Sequence, residues 1–332
     1  MSAPDQGVTS FHDPAAATRA VWLGSPVFSY KGSPADIYDY LPEFARQPFR
    51  LASNGGASGA NDALDAIVRL PMGTQQQEIP TGIVSKGYRL VHHQEVLNAA
   101  LRAIASAGID LDEVTAELRI TQLGERMELG LRLPESYRFD PGDDRAMDLR
   151  LILINSVDGS TRFMAVLGWL RFVCTNGLIV GTTQAHYRRA HIQGLEIEDV
   201  QEVLQHGLEL AEVERDRYGD WVTAEISGDQ VKRFVNGPLK YEWGVKAATR
   251  AYHIANTGLD AVLVPPFEKC PPSEKAVKNG RHVPGAHGAA RNLFDLSQVL
   301  SWLARDRRDV QEQLVWTREI PALMEALTRM LN

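Results

Sequence analysis

Residues 149–180 read LRLILINSVDGSTRFMAVLGWLRFVCTNGLIV and carry the strongest β-sheet signal in the chain. The apolar run at 149–154 is typical of a central strand. Asp158-Gly159 follows, a dipeptide that accepts the positive φ angles of a tight hairpin turn. Residues 162–173 then form the returning strand, and Asn176-Gly177 supplies a second turn signal. The stretch therefore predicts an antiparallel meander.

The preceding segments extend this meander. Alternating apolar and polar residues at 116–120 and 127–133 predict a hairpin that turns near Gly124. Helical spacing at 96–104 predicts an amphipathic helix that stops at Gly108. No crossover helix alternates with the strands, so the predicted fold class is α+β: an antiparallel β-meander packed with helices, followed by a mainly helical C-terminal region.

Composition divides the chain into three regions. Residues 1–80 are rich in Gly, Pro, Ser and Gln and predict a poorly ordered or loop-rich N-terminal arm, with one helix near residues 36–45. Residues 81–225 hold the meander core and end in an acidic helix, predicted at 195–218. Residues 226–332 form a basic and helical C-terminal region. An arm that wraps a neighbouring subunit is the functional alternative to a merely flexible one.

The composition indicates a soluble protein of a reducing compartment. The 332 residues are 44% hydrophobic, which is enough to bury a full core. Cys174 and Cys270 are the only cysteines, too few for a disulfide framework or a CxxC-type zinc site. The N-terminal segment lacks the basic start and apolar run of a secretory signal, and no run approaches the roughly 20 apolar residues of a membrane span. We therefore expect a cytoplasmic location and no membrane partner.

Charge is segregated along the chain. The net charge is -7, which argues against a uniformly basic surface. Residues 195–225 contain ten Asp or Glu against two Arg, a local charge of -8. Residues 228–291 contain ten Lys or Arg against five Asp or Glu, a local charge of +5. Any contact with nucleic acid must therefore come from a local basic patch.

The sequence lacks the common catalytic motifs. It has no phosphate loop of the GxxxxGKS/T or GxGxxG type and no GxSxG nucleophile motif. Cys174 lies in an apolar strand, which favours a buried structural thiol. His186 and His191 are not at HExxH spacing, and His92-His93 gives only a weak acid-base signal because adjacent side chains diverge. We predict no catalytic residue, no cofactor and no metal.

Cations interleaved with aromatic side chains give the best binding signal. Lys and Arg pair with phosphates and Tyr or Trp stack on unpaired bases, the combination that single-strand binders use. The alternative is the buried stripe of an amphipathic helix whose lysines are solvated. Residues 265–288 add a basic loop, either an exposed excursion or a segment that meets an anion. The candidate nucleic-acid-binding residues are Lys232, Arg233, Lys240, Tyr241, Trp243, Lys246 and Arg250, with Arg188 and Arg189 forming a second basic edge.

The meander is specific enough to suggest a family. The runs 155–160 (NSVDGS) and 171–181 (RFVCTNGLIVG) resemble the phage/plasmid-like proteins of the domain of unknown function family 932, and residues 88–91, 95–97 and His191 are similar to its flanking pattern. The resemblance implies a protein of phages, plasmids or integrated mobile elements, without a settled activity. At the level of topology, a helix, a meander and a second helix are similar to the core of single-strand annealing recombination proteins, which implies an oligomer that binds DNA along a groove.

These observations lead to one principal expectation and two alternatives. The principal expectation is a nucleic-acid-binding accessory protein of a mobile element, with single-stranded DNA as its partner, a role in annealing during recombination, and a homo-oligomeric state. The first alternative is a protein-interaction or anti-defence module that uses the acidic surface of residues 195–225. The second is an enzyme with an unrecognised site around His92, His186 or Asp158.

Overall fold

The computed structural model describes residues 12–53, 56–57, 59–73, 75–142, 146–170, 186–192, 195–263, 277–283 and 288–331. It divides into two compact units. The first comprises Met1–Ser136, Arg150–Leu167 and Gln184–Leu208, and the second comprises Tyr137–Leu149, Gly168–Thr183 and Glu209–Asn332. Each unit is thus assembled from interleaved segments, whereas the sequence suggested contiguous regions.

Antiparallel sheets and helices make up both units, so the predicted α+β class is confirmed. The strands are β1 (Ala17–Trp22), β2 (Ser25–Gly32), β3 (Phe44–Pro48), β4 (Ala52–Ser53), β5 (Gly56–Ala57), β6 (Leu64–Arg69), β7 (Ile79–Ser85), β8 (Thr115–Thr121), β9 (Arg126–Arg132), β10 (Arg138–Phe139), β11 (Met147–Ser156), β12 (Phe163–Leu170), β13 (His186–Arg189), β14 (Leu259–Leu263) and β15 (Val277–His282). The helices are α1 (Pro34–Tyr38), α2 (His93–Ser106), α3 (Val200–Thr223), α4 (Gly228–Phe234), α5 (Lys240–Thr257), α6 (Leu293–Arg305) and α7 (Val310–Leu331).

The largest sheet has the strand order β1-β2-β8-β9-β11-β12-β13, with β10 paired to β11. Within this sheet β8, β9, β11 and β12 lie side by side in the same order as in the chain, which confirms the predicted meander. The register aligns Leu118 with Leu129 and Leu129 with Leu153, and all three side chains are fully buried. Helix α2 contacts this sheet at its first residue, where His93 Nε2 donates to the carbonyl of Gly124 at 2.7 Å. The period-two alternation therefore buries one face of the sheet.

The predicted turns have different outcomes. Gly124 turns the β8-β9 hairpin with a φ of +79°, as expected. Gly159 also has a positive φ, +76°, but it lies in a connection that spans residues 157–162 rather than in a two-residue turn. Within this connection Arg126 binds the carboxylate of Asp158 at 2.7 Å, and Asp158 in turn accepts a hydrogen bond from the hydroxyl of Ser160 at 2.6 Å. Asn176-Gly177 lies outside the described residues.

Strands and short helices occupy much of the described part of the N-terminal region (12–53, 56–57, 59–73 and 75–80), in contrast with the loop-rich arm predicted for residues 1–80. β1 and β2 form a hairpin at the edge of the largest sheet, and β3, β6 and β7 form a separate three-stranded sheet. Phe44, Ile67 and Val84 of this smaller sheet pack with Val157 in one buried cluster. The region is therefore held by hydrophobic contacts with the core rather than by local sequence pattern.

Two short elements also differ from the prediction. The helix expected at 36–45 is reduced to α1, because Ser33 and Asp36 form a capping box at its start and β3 already begins at Phe44. The pattern Tyr88-Arg89-Leu90-Val91 predicts a short strand, but these residues form none, and Tyr88 makes an isolated bridge to Ile192 instead.

The described part of the second unit is mainly helical. α5 packs against β14 and α6, and α6 packs against α7. Pro321, within the helical pattern of residues 310–331, predicts a bend or a restart, but α7 continues through it. α4 and α5 are separated by residues 235–239, in which Gly237 has the non-helical angles φ -104° and ψ -105°. Among the described residues, no helix is long and apolar enough to cross a membrane.

Candidate nucleic-acid interface

The segment from α4 to the start of α5 forms an exposed turn, in which two glycines break the helical backbone. The first break is Gly237, and the second is Gly244, which has φ +78° and ψ 171°. The φ and ψ angles of Gly244 are accessible almost exclusively to glycine. Between the breaks, Tyr241 is 86% exposed, an unusual position for a large aromatic side chain. We call the surface made by Lys232, Arg233, Lys240, Tyr241 and Lys246 the basic turn.

All four cations of the basic turn are exposed. Lys232 and Arg233 stand in the last turn of α4, where cations interact favourably with the helix dipole. α4 itself begins at a capping box in which Ser227 and Gln230 bond reciprocally. The exposed carboxylates of the same segment are Asp229 and Glu242, so residues 228–246 carry four cations against two anions.

Trp243 is buried, which removes it from the set of stacking residues proposed from the sequence. Its indole is 7% exposed and stacks on Trp316, with ring centroids 4.4 Å apart and an interplanar angle of 13°. The indole N–H donates to Glu319 at 2.8 Å, and the guanidinium of Arg307 lies 4.6 Å above the ring of Trp316. Trp243 therefore anchors one end of the turn to α7.

Arg250 is held in an ion-pair network, which removes it from the phosphate-binding set. Its guanidinium donates to Asp260 at 2.9 and 2.5 Å and to Asp306 at 2.7 Å. Burial alone lowers the pKa of Arg250, but the hydrogen bonds and charges of the two carboxylates outweigh burial and raise it. Arg281 joins the same network through Asp306. Arg250 is thus a structural cation that links α5, β14 and the end of α6.

A second polar cluster lies in the first unit and is fully buried. The side-chain amide of Asn155 donates to the carbonyl of Val91 at 2.9 Å and to His93 Nδ1 at 3.0 Å, and its oxygen accepts from His191 Nε2 at 2.8 Å. Since His93 Nε2 donates to Gly124, the network assigns His93 as a neutral imidazole protonated on Nε2. Burial lowers the pKa of both His93 and His191 to about 4.

This cluster is a scaffold, because its three side chains bond to one another and to backbone carbonyls and are closed to solvent. Asn155 and His93 are 0% exposed and His191 is 5% exposed. His191 also stacks on Tyr88, with centroids 5.3 Å apart. Asp158, a further candidate for catalysis, is bound by Arg126, and His92 is the N-cap of α2. The side chain of His186 lies outside the described residues.

A family model described as a domain of unknown function (DUF932) matches residues 80–263, more than half of the chain. The chain belongs to the DUF932 family. The match covers the meander, the buried Asn155 cluster and the whole basic turn. No solved structure matches the chain significantly, so the topological likeness to annealing proteins stays a prediction.

The DUF932 region also contains Arg188 and Arg189, the second basic edge. Both are exposed on β13, where Arg188 pairs with Met164 and Arg189 with Phe163. Adjacent residues of a strand point to opposite faces, so the two side chains leave β13 in different directions. They belong to the first unit, whereas the basic turn belongs to the second.

Sequence reasoning missed two features of this DUF932 chain. One is Asn155, whose signal is a polar Asn-Ser pair at the end of the apolar run 149–154. The other is the pair of glycine breaks around Tyr241, signalled by Gly237-Pro238 and Gly244 within a segment that otherwise has helical spacing. Among the described residues, no group of His, Cys, Asp or Glu is arranged to hold a metal ion.

Proposed function

We propose that this DUF932 protein binds single-stranded nucleic acid through the basic turn. The observation that carries the proposal is Tyr241, an aromatic side chain that is 86% exposed within a segment carrying four exposed cations. In a protein–nucleic acid contact, the cations neutralise phosphates and the phenol ring stacks on an unpaired base. Binding of this kind requires no covalent chemistry.

The anchoring of the turn supports the proposal, because a rigid turn loses little conformational entropy when it binds. Trp243 fixes the C-terminal end of the turn through its stack on Trp316 and its hydrogen bond to Glu319. Gly237 and Gly244 break the helix on either side, so Tyr241 projects from a short turn rather than from a continuous helical face.

The biological setting that we propose follows from the family resemblance. A single-strand binder of a phage, plasmid or integrated mobile element acts in recombination, where it holds DNA strands for annealing. We propose DNA rather than RNA as the ligand. This choice rests on the family resemblance, since base stacking and phosphate neutralisation operate on RNA as well.

Anisotropy of a labelled oligonucleotide of about 20 nucleotides tests the role of Tyr241. Tyr241→Ala is expected to weaken binding by about 1–3 kcal/mol, the loss of one stacked base, while Tyr241→Phe retains the ring and most of the affinity. Tyr38→Ala is the matched control, since Tyr38 is 43% exposed in the first unit. Equal affinities for wild type and Tyr241→Ala would refute stacking by this residue.

A further inference from the structure

Three flat groups are stacked in the second unit beside the basic turn. The indole rings of Trp243 and Trp316 lie 4.4 Å apart at an interplanar angle of 13°, and the guanidinium of Arg307 lies 4.6 Å from the centroid of the Trp316 ring. Because Trp243 covers one face of that ring, Arg307 covers the other. We call this stack of Trp243, Trp316 and Arg307 the planar column. Its inner end, Trp243, is 7% exposed, whereas the side chain at its outer end, Arg307, is 36% exposed.

The positive charge of Arg307 is already matched by a carboxylate. Its Nε and Nη2 atoms both donate to Oε2 of Glu312, at 2.9 and 2.7 Å. A pair of opposite charges attracts a phosphate far less than a lone cation does. The guanidinium still offers a flat surface, and unpaired bases stack on guanidinium planes as well as on aromatic rings. Arg307 therefore offers a bound strand a stacking surface rather than a charge.

Exposed hydrophobic side chains accompany the planar column. Among the described residues of 226–331, only two large hydrophobic side chains are exposed, Tyr241 at 86% and Val315 at 40%. Tyr241 lies two residues before Trp243, and Val315 lies directly before Trp316. Two residues of chain span no more than about 7 Å, so both side chains start close to the column. Exposed apolar groups that cluster mark interaction sites, whereas isolated ones need no explanation.

We infer that the outer face of Arg307 is a second stacking position for an unpaired base, so that one single strand is held both at Tyr241 and at Arg307. This inference rests on the proposed function and extends its site from the basic turn to the residues at the start of α7. The hydrogen bond from the indole of Trp243 to Glu319 joins the two parts of the site. The ligand is therefore a single strand with at least two unpaired bases. A duplex, whose bases stack on one another, does not fill both positions.

Arg307→Lys separates stacking from charge, because an ammonium group keeps the positive charge and can bind Glu312 but has no plane. Anisotropy of a labelled single strand of about 20 nucleotides is expected to show an affinity about tenfold below that of wild type, with the same dependence on salt. A strand of equal length made of abasic sites keeps the phosphates and lacks the bases, and the variant is expected to bind it as wild type does. Arg308→Lys, the same change at the neighbouring exposed residue, is the matched control and is expected to bind both strands with wild-type affinity.

A double-mutant cycle with Tyr241→Ala tests whether Arg307 contacts the strand itself. Two independent stacking positions predict that the losses multiply, so Tyr241→Ala/Arg307→Lys is expected to bind the base-containing strand about a hundredfold more weakly than wild type. If Arg307 served only to hold the basic turn in place, Arg307→Lys would have no further effect once Tyr241 is absent.

Three results overturn the inference: wild-type affinity of Arg307→Lys for the base-containing strand, an equal loss of affinity for the abasic strand, or no further loss in the Tyr241→Ala background. In each case the proposed function stands as long as Tyr241→Ala alone weakens binding. A wild-type protein that binds no single strand refutes the proposed function and this inference with it.

Discussion

Acidification is expected to destabilise the first unit through three buried histidines. His12, His93 and His191 are each no more than 5% exposed, and burial lowers the pKa of each from 6.5 to about 4. Hydrogen bonds fix the neutral forms. His12 Nε2 bonds to the carbonyl of Thr121 at 3.0 Å, and its Nδ1 bonds to the hydroxyl of Tyr30 at 2.8 Å. Protonation would therefore place a charge in a buried site, where the cost of burial outweighs the favourable influence of the Asp158 carboxylate on His93 and His191.

The direction and size of the effect follow from proton binding in the two states. In the unfolded chain, each imidazole takes up a proton as the pH falls below about 6.5, whereas in the folded unit it does so only near pH 4. The neutral histidines therefore contribute their full stabilisation above about pH 6.5. Between pH 6.5 and pH 4 the free energy of unfolding falls by about 1.4 kcal/mol per pH unit for each histidine. Three histidines together remove about 10 kcal/mol, which is comparable with the total stability of a typical domain.

Urea unfolding at successive pH values, followed by hydrogen exchange of peptides from β8 and β9, measures this loss in the first unit. As the pH falls, the free energy of unfolding is expected to decrease with a slope that corresponds to the uptake of nearly three protons on unfolding. His191→Gln, which retains a donor for Asn155, is expected to reduce the slope by one proton, and the exposed His282→Gln serves as the control. A free energy of unfolding that stays constant as the pH falls through this window would refute the assignment of neutral buried histidines.

Three backbone predictions follow from positions where side-chain volume or φ decides stability. Gly82→Ala would place its Cβ 2.7 Å from the Cα of Asp158, and thermal unfolding is expected to show a loss of about 1–3 kcal/mol. Leu23 has a φ of +48° in the two-residue turn of the β1-β2 hairpin, so Leu23→Asn is expected to add about 1 kcal/mol to the free energy of unfolding. Gly219→Ala is expected to stabilise α3 by about 1 kcal/mol, whereas Gly207→Ala, whose Cβ would meet a side chain at 2.6 Å, is expected to destabilise it. A gain in stability for both glycine variants would contradict the distinction between them.

The meander could be predicted because patterns among residues close together in the sequence encode its strands and turns. Residues 116–120 and 127–133 alternate in hydrophobicity, and Gly124 marks the turn between them. The β1-β2 hairpin was missed because Leu23 occupies a turn position at which Asn is the usual signal. The pairing of β2 with β8 depends on contacts between residues far apart in the chain, such as Val27 with Thr121, which no local pattern encodes.

The structure exposes seven of the nine candidate residues and holds the other two, Trp243 and Arg250, in contacts within the second unit. Binding of nucleic acid by the exposed residues stays a prediction. The interleaving of cations and aromatic side chains predicted that Trp243 and Arg250 take part in binding together with Tyr241. The breaks at Gly237 and Gly244 reset the helical phase, so the side-chain directions on either side are unrelated. The groups that bury Trp243 and Arg250 come from α7 and from Asp306, both distant in sequence.

The salt dependence of single-strand binding tests the proposed function most directly. Four phosphate contacts by Lys232, Arg233, Lys240 and Lys246 predict that a plot of log K against log salt concentration has a slope of about -3 for a single strand. The double variant Lys240→Gln/Lys246→Gln is expected to reduce the slope to about -1.5. Arg188→Gln/Arg189→Gln removes the same number of charges from β13 and is expected to leave the slope unchanged. An absence of binding at low salt would contradict a nucleic-acid site at the basic turn. Equal reductions of the slope by the two double variants would contradict it as well.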